Sequence, residues 1–266
     1  MNMYPGMNPV GGPKPTKRLV PRDPISALSH FVGFLLAVVA GIPLLYKAVW
    51  ANCSPGEVLS LVAFVLGMIA LYGASASYHT FFRLGERGYY WLKRLDHSMI
   101  YLLIVGSYLP ICVFALWDGI GKPMTLAVSA IAFVGILFTL FWVTCPKWLS
   151  SCIYIALGWL SVLALPQMLG RMAPAAIGWL VAGGLLYTVG GVIYAIKLPG
   201  LERRFPGFGA HELFHLFVLA GTICHYIMIF SYLVGYSQRR CSGAGLGRPL
   251  YPLRRKENFQ KNGEKA

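Results

Sequence analysis

Seven stretches of almost unbroken apolar residues, separated by short polar connections, recur along the chain. About 20 apolar residues are enough for a helix to cross ~30 Å of hydrocarbon. The stretches lack the alternation that barrel strands need, and backbone groups in lipid must hydrogen-bond within their own segment. The pattern therefore predicts an all-α polytopic membrane bundle of seven transmembrane helices, near residues 25–48, 57–82, 96–117, 123–144, 150–170, 175–197 and 211–236.

Polar ends frame one predicted membrane domain, residues 22–236. Residues 1–21 are rich in Gly and Pro, and we expect them to form a disordered cytoplasmic segment. The basic tail of residues 237–266 is also expected to be disordered. The first apolar stretch is too long for a signal peptide, so we expect it to remain as a membrane anchor.

The composition favours lipid over water as part of the solvent. Hydrophobic residues make up 57% of the 266 residues and charged residues only 12%, with a mean hydropathy of +0.62. Soluble domains carry about 25% charged residues. The net charge of +14 is better explained by membrane orientation than by nucleic acid. We therefore expect membrane lipids, and no nucleic acid, as partners; the sequence leaves the oligomeric state open.

Lys and Arg are concentrated in the connections on the N-terminal side of the predicted bundle. The connections on the opposite side contain only Lys47, Lys122 and Arg171. Cytoplasmic loops are enriched in Lys and Arg, so the bias predicts a plasma-membrane protein with a cytoplasmic N-terminus. Seven crossings would then place the basic C-terminal tail outside, against the same rule.

Ionisable side chains gather near the ends of three spans. His79 ends the second span with Ser75 one turn earlier on the same face, and Asp96 is expected to open the third. His211 and His215 share a face at the start of the seventh. Because six crossings return the chain to its starting side, these residues are predicted to lie at similar depth near the cytoplasmic face. Intramembrane ionisable residues are functional candidates by default.

Three neutral imidazoles suit Zn²⁺ and leave a fourth position for water. We therefore predict zinc as the cofactor and His79, His211 and His215 as its ligands.

Other histidines and an alternative motif stay outside this prediction. His30, His97 and His225 are not assigned to the site, since His97 points about 100° from its neighbour Asp96 on an ideal helix. The letters HELFH at 211–215 also fit the H-E-x-x-H pattern of zinc proteases, in which Glu212 would be the general base.

Several segments together resemble the hemolysin III family, the bacterial branch of the progestin and adipoQ receptor superfamily. The resemblance covers roughly residues 22–235 and rests on RDPISALSH at 22–30, SASYH at 75–79, LDHSMIYLLIVGSYLP at 95–110 and FGAHELFH at 208–215. Ser26 stands where other receptor-family members carry Asn, so the first motif is partly kept. The resemblance implies seven helices with the N-terminus inside and zinc at the three histidines. It also implies that Asp96 lies near the zinc-bound water and Ser75 beside the site.

Three functions are open at this point. The resemblance implies a zinc-dependent hydrolase of membrane lipid amides or esters that affects lipid homeostasis, because related membrane proteins hydrolyse ceramides. In that mechanism Asp96 would orient or deprotonate water and Ser75 would hold the substrate carbonyl. A pore-forming cytolysin or channel, or a sensor of membrane state, would use the zinc structurally. The apolar middles of spans four to six weigh against a pore made by a single chain.

Overall fold

The computed structural model describes residues 23–81 and 85–236, and seven long helices dominate this part of the chain. They are α1 (Pro24–Trp50), α2 (Pro55–Thr80), α3 (Gly85–Ala115), α4 (Trp117–Phe141), α5 (Lys147–Arg171), α6 (Pro174–Ile196) and α7 (Ala210–Leu233). Each is long and apolar enough to cross a membrane, and the described residues contain no strand. The predicted fold class is confirmed. The terminal segments 1–21 and 237–266, both predicted to be disordered, lie outside the described residues.

Proline and a capping side chain set the start of several helices. Pro24, Pro55 and Pro174 occupy first helical positions, where a missing N–H costs nothing. At the start of α2, Glu57 accepts a hydrogen bond from the Ser54 backbone N–H at 2.7 Å. Ser54 Oγ accepts one from the Glu57 N–H at 3.3 Å. This reciprocal capping gives Glu57 a structural task at the face opposite the histidines.

Helix α3 begins well before the predicted start of the third span. It begins at Gly85, so Asp96 lies three turns inside it. The prediction that Asp96 opens the helix is wrong, because residues 85–95 are too polar for a lipid-embedded stretch and still continue the same helix. Capping of the helix N-terminus therefore cannot explain why the Asp96 carboxylate lies at this position.

Sequential neighbours form most of the helix contacts in the bundle. Each of α1, α2 and α3 packs against the next helix in the chain, α5 packs on α6 and α6 on α7, and α7 returns to contact α1. Helices α2 and α3 approach closely at two glycines: a Cβ on Gly106 would lie 2.9 Å from the Ala63 carbonyl oxygen. A Cβ on Gly67 would lie 3.1 Å from that of Leu102. Small residues at such crossings let backbones come together in lipid, and this contact fixes α3 beside α2.

Polar contacts join α3, α4 and α5 at the face opposite the histidines. Arg171 donates to the Ala115 carbonyl at 3.1 Å and pairs with Asp118. Gln167 Oε1 accepts from the Ile120 N–H at 2.9 Å. These contacts hold the bundle together on that side.

Candidate metal centre

Three histidines from α2 and α7 converge near one face of the bundle. His79, His211 and His215 each offer one ring nitrogen, and these atoms all lie within 4.8 Å of one another. Nε2 of His79 is 3.1 Å from Nε2 of His211. His79 and His215 are 1% and 2% exposed, so the group is shielded from solvent. The structure thus brings together all three predicted ligands.

The donor set fits a metal ion. Two nitrogens bound to one tetrahedral zinc ion at ~2.0–2.1 Å would be about 3.3 Å apart, close to the Nε2–Nε2 separation found here. A hydrogen bond between the two Nε2 atoms would explain their short separation, but it would not explain why His215 lies next to them. The Nδ1 of His211 is buried without a hydrogen-bond partner among the described residues. Three imidazoles with one ring nitrogen each within 4.8 Å of the others form a group that a metal ion can bridge.

Asp23, just before α1, orients the first of these histidines. Its Oδ2 lies 2.9 Å from Nδ1 of His79. A proton on Nδ1 donated to this carboxylate leaves the Nε2 lone pair directed at the cluster, as in many metal-binding histidines. Sequence reasoning missed Asp23 because it lies outside any span and 56 positions from its partner.

Helix α1 also supports His215. Ser29 Oγ lies 3.5 Å from His215 Nδ1. The His30 ring stacks on the His215 ring with centroids 3.7 Å apart. His30 was left outside the predicted site, and it forms one wall of it instead. The available signal in the sequence was the pair Ser29–His30 near the start of a mostly apolar helix.

Both carboxylate oxygens of Glu212 have structural partners. Oε1 accepts from Ser26 Oγ at 2.8 Å and Oε2 from the Gly209 backbone N–H at 2.8 Å. These bonds cap α7 and tie it to α1. The geometry therefore supports a structural Glu212 and not the general base of the zinc-protease alternative.

Asp96 and Ser75 face the same cavity as the histidines. Asp96 is 7% exposed, and its Oδ2 lies 3.3 Å from Nδ1 of His97. Ser75 is buried and lines the same end of the cavity as Asp96. The expectation that His97 points away from the site is wrong, since its ring turns back toward the adjacent carboxylate and lines the cavity.

An apolar cavity of about 230 Å³ leads away from these polar groups into the membrane-embedded part of the bundle. Its polar end is lined by Ser75, Asp96, His97 and His211. Farther in, its walls come from α3, α5, α6 and α7 and include Ile104, Ile111, Leu165, Met168 and Leu180. His225, also left outside the predicted site, lines the cavity about three to four turns along α7 beyond His215 and His211.

Comparison with known proteins identifies the family. The model of the family described as Haemolysin-III related matches residues 19–226, which include all three histidines of the cluster. The chain belongs to the haemolysin-III-related family. Membership and the seven apolar helices make it a multi-pass membrane protein, and the resemblance drawn from the sequence motifs is confirmed.

Curated relatives of this haemolysin-III-related protein come from bacteria and animals. A "Hemolysin-3 homolog" of Bacillus subtilis is 30% identical over 210 residues, covering 79% of this chain and 93% of the relative. "Hemolysin-3" of Bacillus cereus is 28% identical over 217 residues, covering 82% and 94%. "Adiponectin receptor protein" of Drosophila melanogaster is 29% identical over 181 residues, covering 62% and 40%. The similarity thus extends into the progestin and adipoQ receptor superfamily.

Proposed function

We propose that this protein is a zinc-dependent hydrolase that cleaves an amide or ester bond of a membrane lipid and so affects membrane lipid homeostasis. The observation that carries the proposal is a buried carboxylate, Asp96, beside a three-histidine cluster at the polar end of an apolar cavity. When bound by His79, His211 and His215, Zn²⁺ would polarise a carbonyl and lower the pKa of a coordinated water to about 7.

The remaining polar residues at this end would bind and orient the reactants. Asp96 would accept a proton from the attacking water, and His97 at 3.3 Å would hold its carboxylate in place. Ser75 Oγ would donate a hydrogen bond to the substrate carbonyl, an assignment supported by its burial at the polar end of the cavity. Asp96 lies far inside α3, so a capping role does not account for its burial.

The cavity supports a lipid as the substrate. Its inner walls are mostly apolar, and burying hydrocarbon contributes about 0.8 kcal/mol per CH₂. A hydrocarbon chain placed there would leave its carbonyl group at the polar end. The proposal includes a plasma-membrane location with the N-terminus and the candidate metal centre on the cytoplasmic side, supported by the Lys and Arg bias of the connections.

A cytolysin or channel is the second candidate, favoured by the name of the Bacillus cereus relative, "Hemolysin-3". The inner part of the cavity is apolar. Within the described part of one chain, it therefore separates the polar residues near the histidines from Arg171, Asp118 and Gln167 at the opposite face, and no continuous polar path joins them. A pore would therefore require several copies.

Replacing Asp96 by Asn tests the hydrolase. The variant keeps the shape of the side chain and all three histidines, so we expect it to retain metal while fatty-acid release from liposomes of total cellular lipid falls about 10²–10⁴-fold. Asp118→Asn is the matched control, since that carboxylate lies at the opposite face, and its release rate should equal that of the wild type. Full metal content together with full activity in Asp96→Asn would overturn the mechanism.

A further inference from the structure

One buried histidine lies far from the candidate metal centre and takes no part in the proposed chemistry. His225 follows His215 by ten residues on α7, so it lies about 15 Å farther along the helix, near the middle of a ~30 Å hydrocarbon core. Its side chain is 7% exposed and lines the apolar cavity. Ionisable side chains at this depth are costly, and they are functional candidates by default.

The neighbours of His225 fix the position of its ring and of its proton. Gly183 on α6 makes room for the ring, because a Cβ at that position would collide with it. The Tyr187 ring packs edge-on against the His225 ring, with centroids 5.3 Å apart. Nε2 of His225 lies 3.4 Å from the Leu180 carbonyl oxygen. A carbonyl only accepts hydrogen bonds, so the neutral imidazole carries its proton on Nε2 and leaves Nδ1 as an acceptor.

This acceptor has no donor within the part of the chain that the structure describes. Nδ1 of His225 is buried there without a hydrogen-bond partner. Thr222 donates its one proton to the Val218 carbonyl at 2.9 Å and accepts a hydrogen bond from Tyr72 at 2.6 Å. Oη of Tyr187 lies 2.8 Å from Thr222 Oγ1, so Tyr187 donates its own proton there. The hydroxyl group of the residue that packs on the His225 ring is therefore already used.

Four other hydroxyl groups that line the inner cavity are also committed as donors. Each donates to a backbone carbonyl: Ser107 to Ile104 at 2.8 Å, Tyr108 to Leu157 at 3.0 Å, Ser161 to Gly158 at 3.1 Å and Thr188 to Gly184 at 2.7 Å. A hydroxyl group has one proton, so none of these has a second one to give to His225. A donor for Nδ1 therefore has to come from a molecule that enters the cavity.

We propose that His225 recognises a hydroxyl group on the hydrocarbon chain of the lipid, about 12 bonds from the carbonyl at the metal centre. The spacing follows from the separation of His215 and His225 along α7 and from a rise of about 1.2 Å per bond in an extended chain. The proposal rests on the proposed function in one respect, that a lipid places its carbonyl at the polar end and its chain in the cavity. It adds the class of lipid, one with a hydroxylated chain. An amide N–H cannot be this donor, because it adjoins the reacting carbonyl.

Binding of three fatty acids to the purified full-length protein in a neutral detergent tests the proposal. The probes are octadecanoate, 12-hydroxyoctadecanoate and 2-hydroxyoctadecanoate, the last with its hydroxyl group at the polar end. We expect the wild type to bind 12-hydroxyoctadecanoate about tenfold more tightly than octadecanoate, which leaves Nδ1 unpaired beside hydrocarbon. His225→Phe removes the acceptor and should abolish this preference while still binding octadecanoate and, as in the wild type, 2-hydroxyoctadecanoate. His225→Gln, whose amide oxygen can accept, should keep part of the preference.

Ser107→Ala is the matched control, because it removes a cavity-lining hydroxyl group that already donates to a backbone carbonyl. Its preference for 12-hydroxyoctadecanoate should equal that of the wild type. Equal affinities of the wild type for 12-hydroxyoctadecanoate and octadecanoate would overturn the site, and so would a preference that survives in His225→Phe. Equal losses in His225→Phe and Ser107→Ala, or equal losses of both hydroxy acids in His225→Phe, would also overturn it. Failure of the hydrolase alone would look different: the preference would persist without any fatty-acid release from lipid.

Discussion

Asp23 offers a sharp test of how the candidate metal centre is built, because it contacts a predicted ligand without itself belonging to the cluster. Replacing Asp23 by Ala removes the 2.9 Å contact to His79 Nδ1 and leaves all three histidines in place. Removing a carboxylate that orients a metal-binding histidine typically lowers metal affinity 10–100-fold, or about 1.4–2.8 kcal/mol. The Asp23 side chain is 32% exposed, so solvent screens the pair, and we expect the lower half of this range.

Competition between the purified protein and a chelator of known zinc affinity measures this effect. Asp23→Asn should lose less affinity than Asp23→Ala, because an amide oxygen can still accept the hydrogen bond from His79 Nδ1. Asp118→Asn, which removes a carboxylate at the opposite face, should bind zinc like the wild type. Wild-type affinity in a folded Asp23→Ala variant would refute the reasoning, since His79 would then be oriented by something other than this carboxylate.

Two further predictions concern packing and orientation. Gly106→Leu should lower the free energy of unfolding by about 1–3 kcal/mol, since its Cβ would meet the Ala63 carbonyl oxygen at 2.9 Å. Gly184→Ala, whose Cβ would have no heavy atom of another residue within 4 Å, should unfold like the wild type. Equal losses of stability in the two variants would contradict the close contact at Gly106. In a cysteine-free background, a membrane-impermeant thiol reagent applied to intact cells should label Lys122→Cys but not Arg87→Cys, and the reverse pattern would overturn the proposed orientation.

The fold was predictable because its main determinant is local. The length of each apolar stretch and the requirement for internal backbone hydrogen bonds fix seven helices regardless of how they pack. Helical periodicity and the parity of membrane crossings likewise predicted that His79, His211 and His215 would meet at one depth. The start of α3 was missed because hydropathy detects only the lipid-embedded part of a helix, whereas α3 continues through the polar residues 85–95.

The supporting residues of the site depend on tertiary packing and could not be read from spacing. Asp23 reaches His79, and Ser26 reaches Glu212, only because α1 lies against both α2 and α7. His97 was excluded by the angle between neighbouring residues on an ideal helix. That angle describes where a side chain leaves the backbone, and the His97 ring turns back far enough to bring Nδ1 to within 3.3 Å of Asp96.

The central claim is that three histidines of α2 and α7 bind one zinc ion, and metal analysis of the purified protein tests it most directly. We predict about one zinc per chain in the wild type and a clear loss of both metal and thermal stability in His79→Ala, His211→Ala and His215→Ala, because ligand loss forfeits binding free energy linked to folding. His225→Ala, which removes a buried histidine of the same helix outside the cluster, should keep its zinc. Wild-type protein purified without chelators that holds no stoichiometric zinc would contradict the claim.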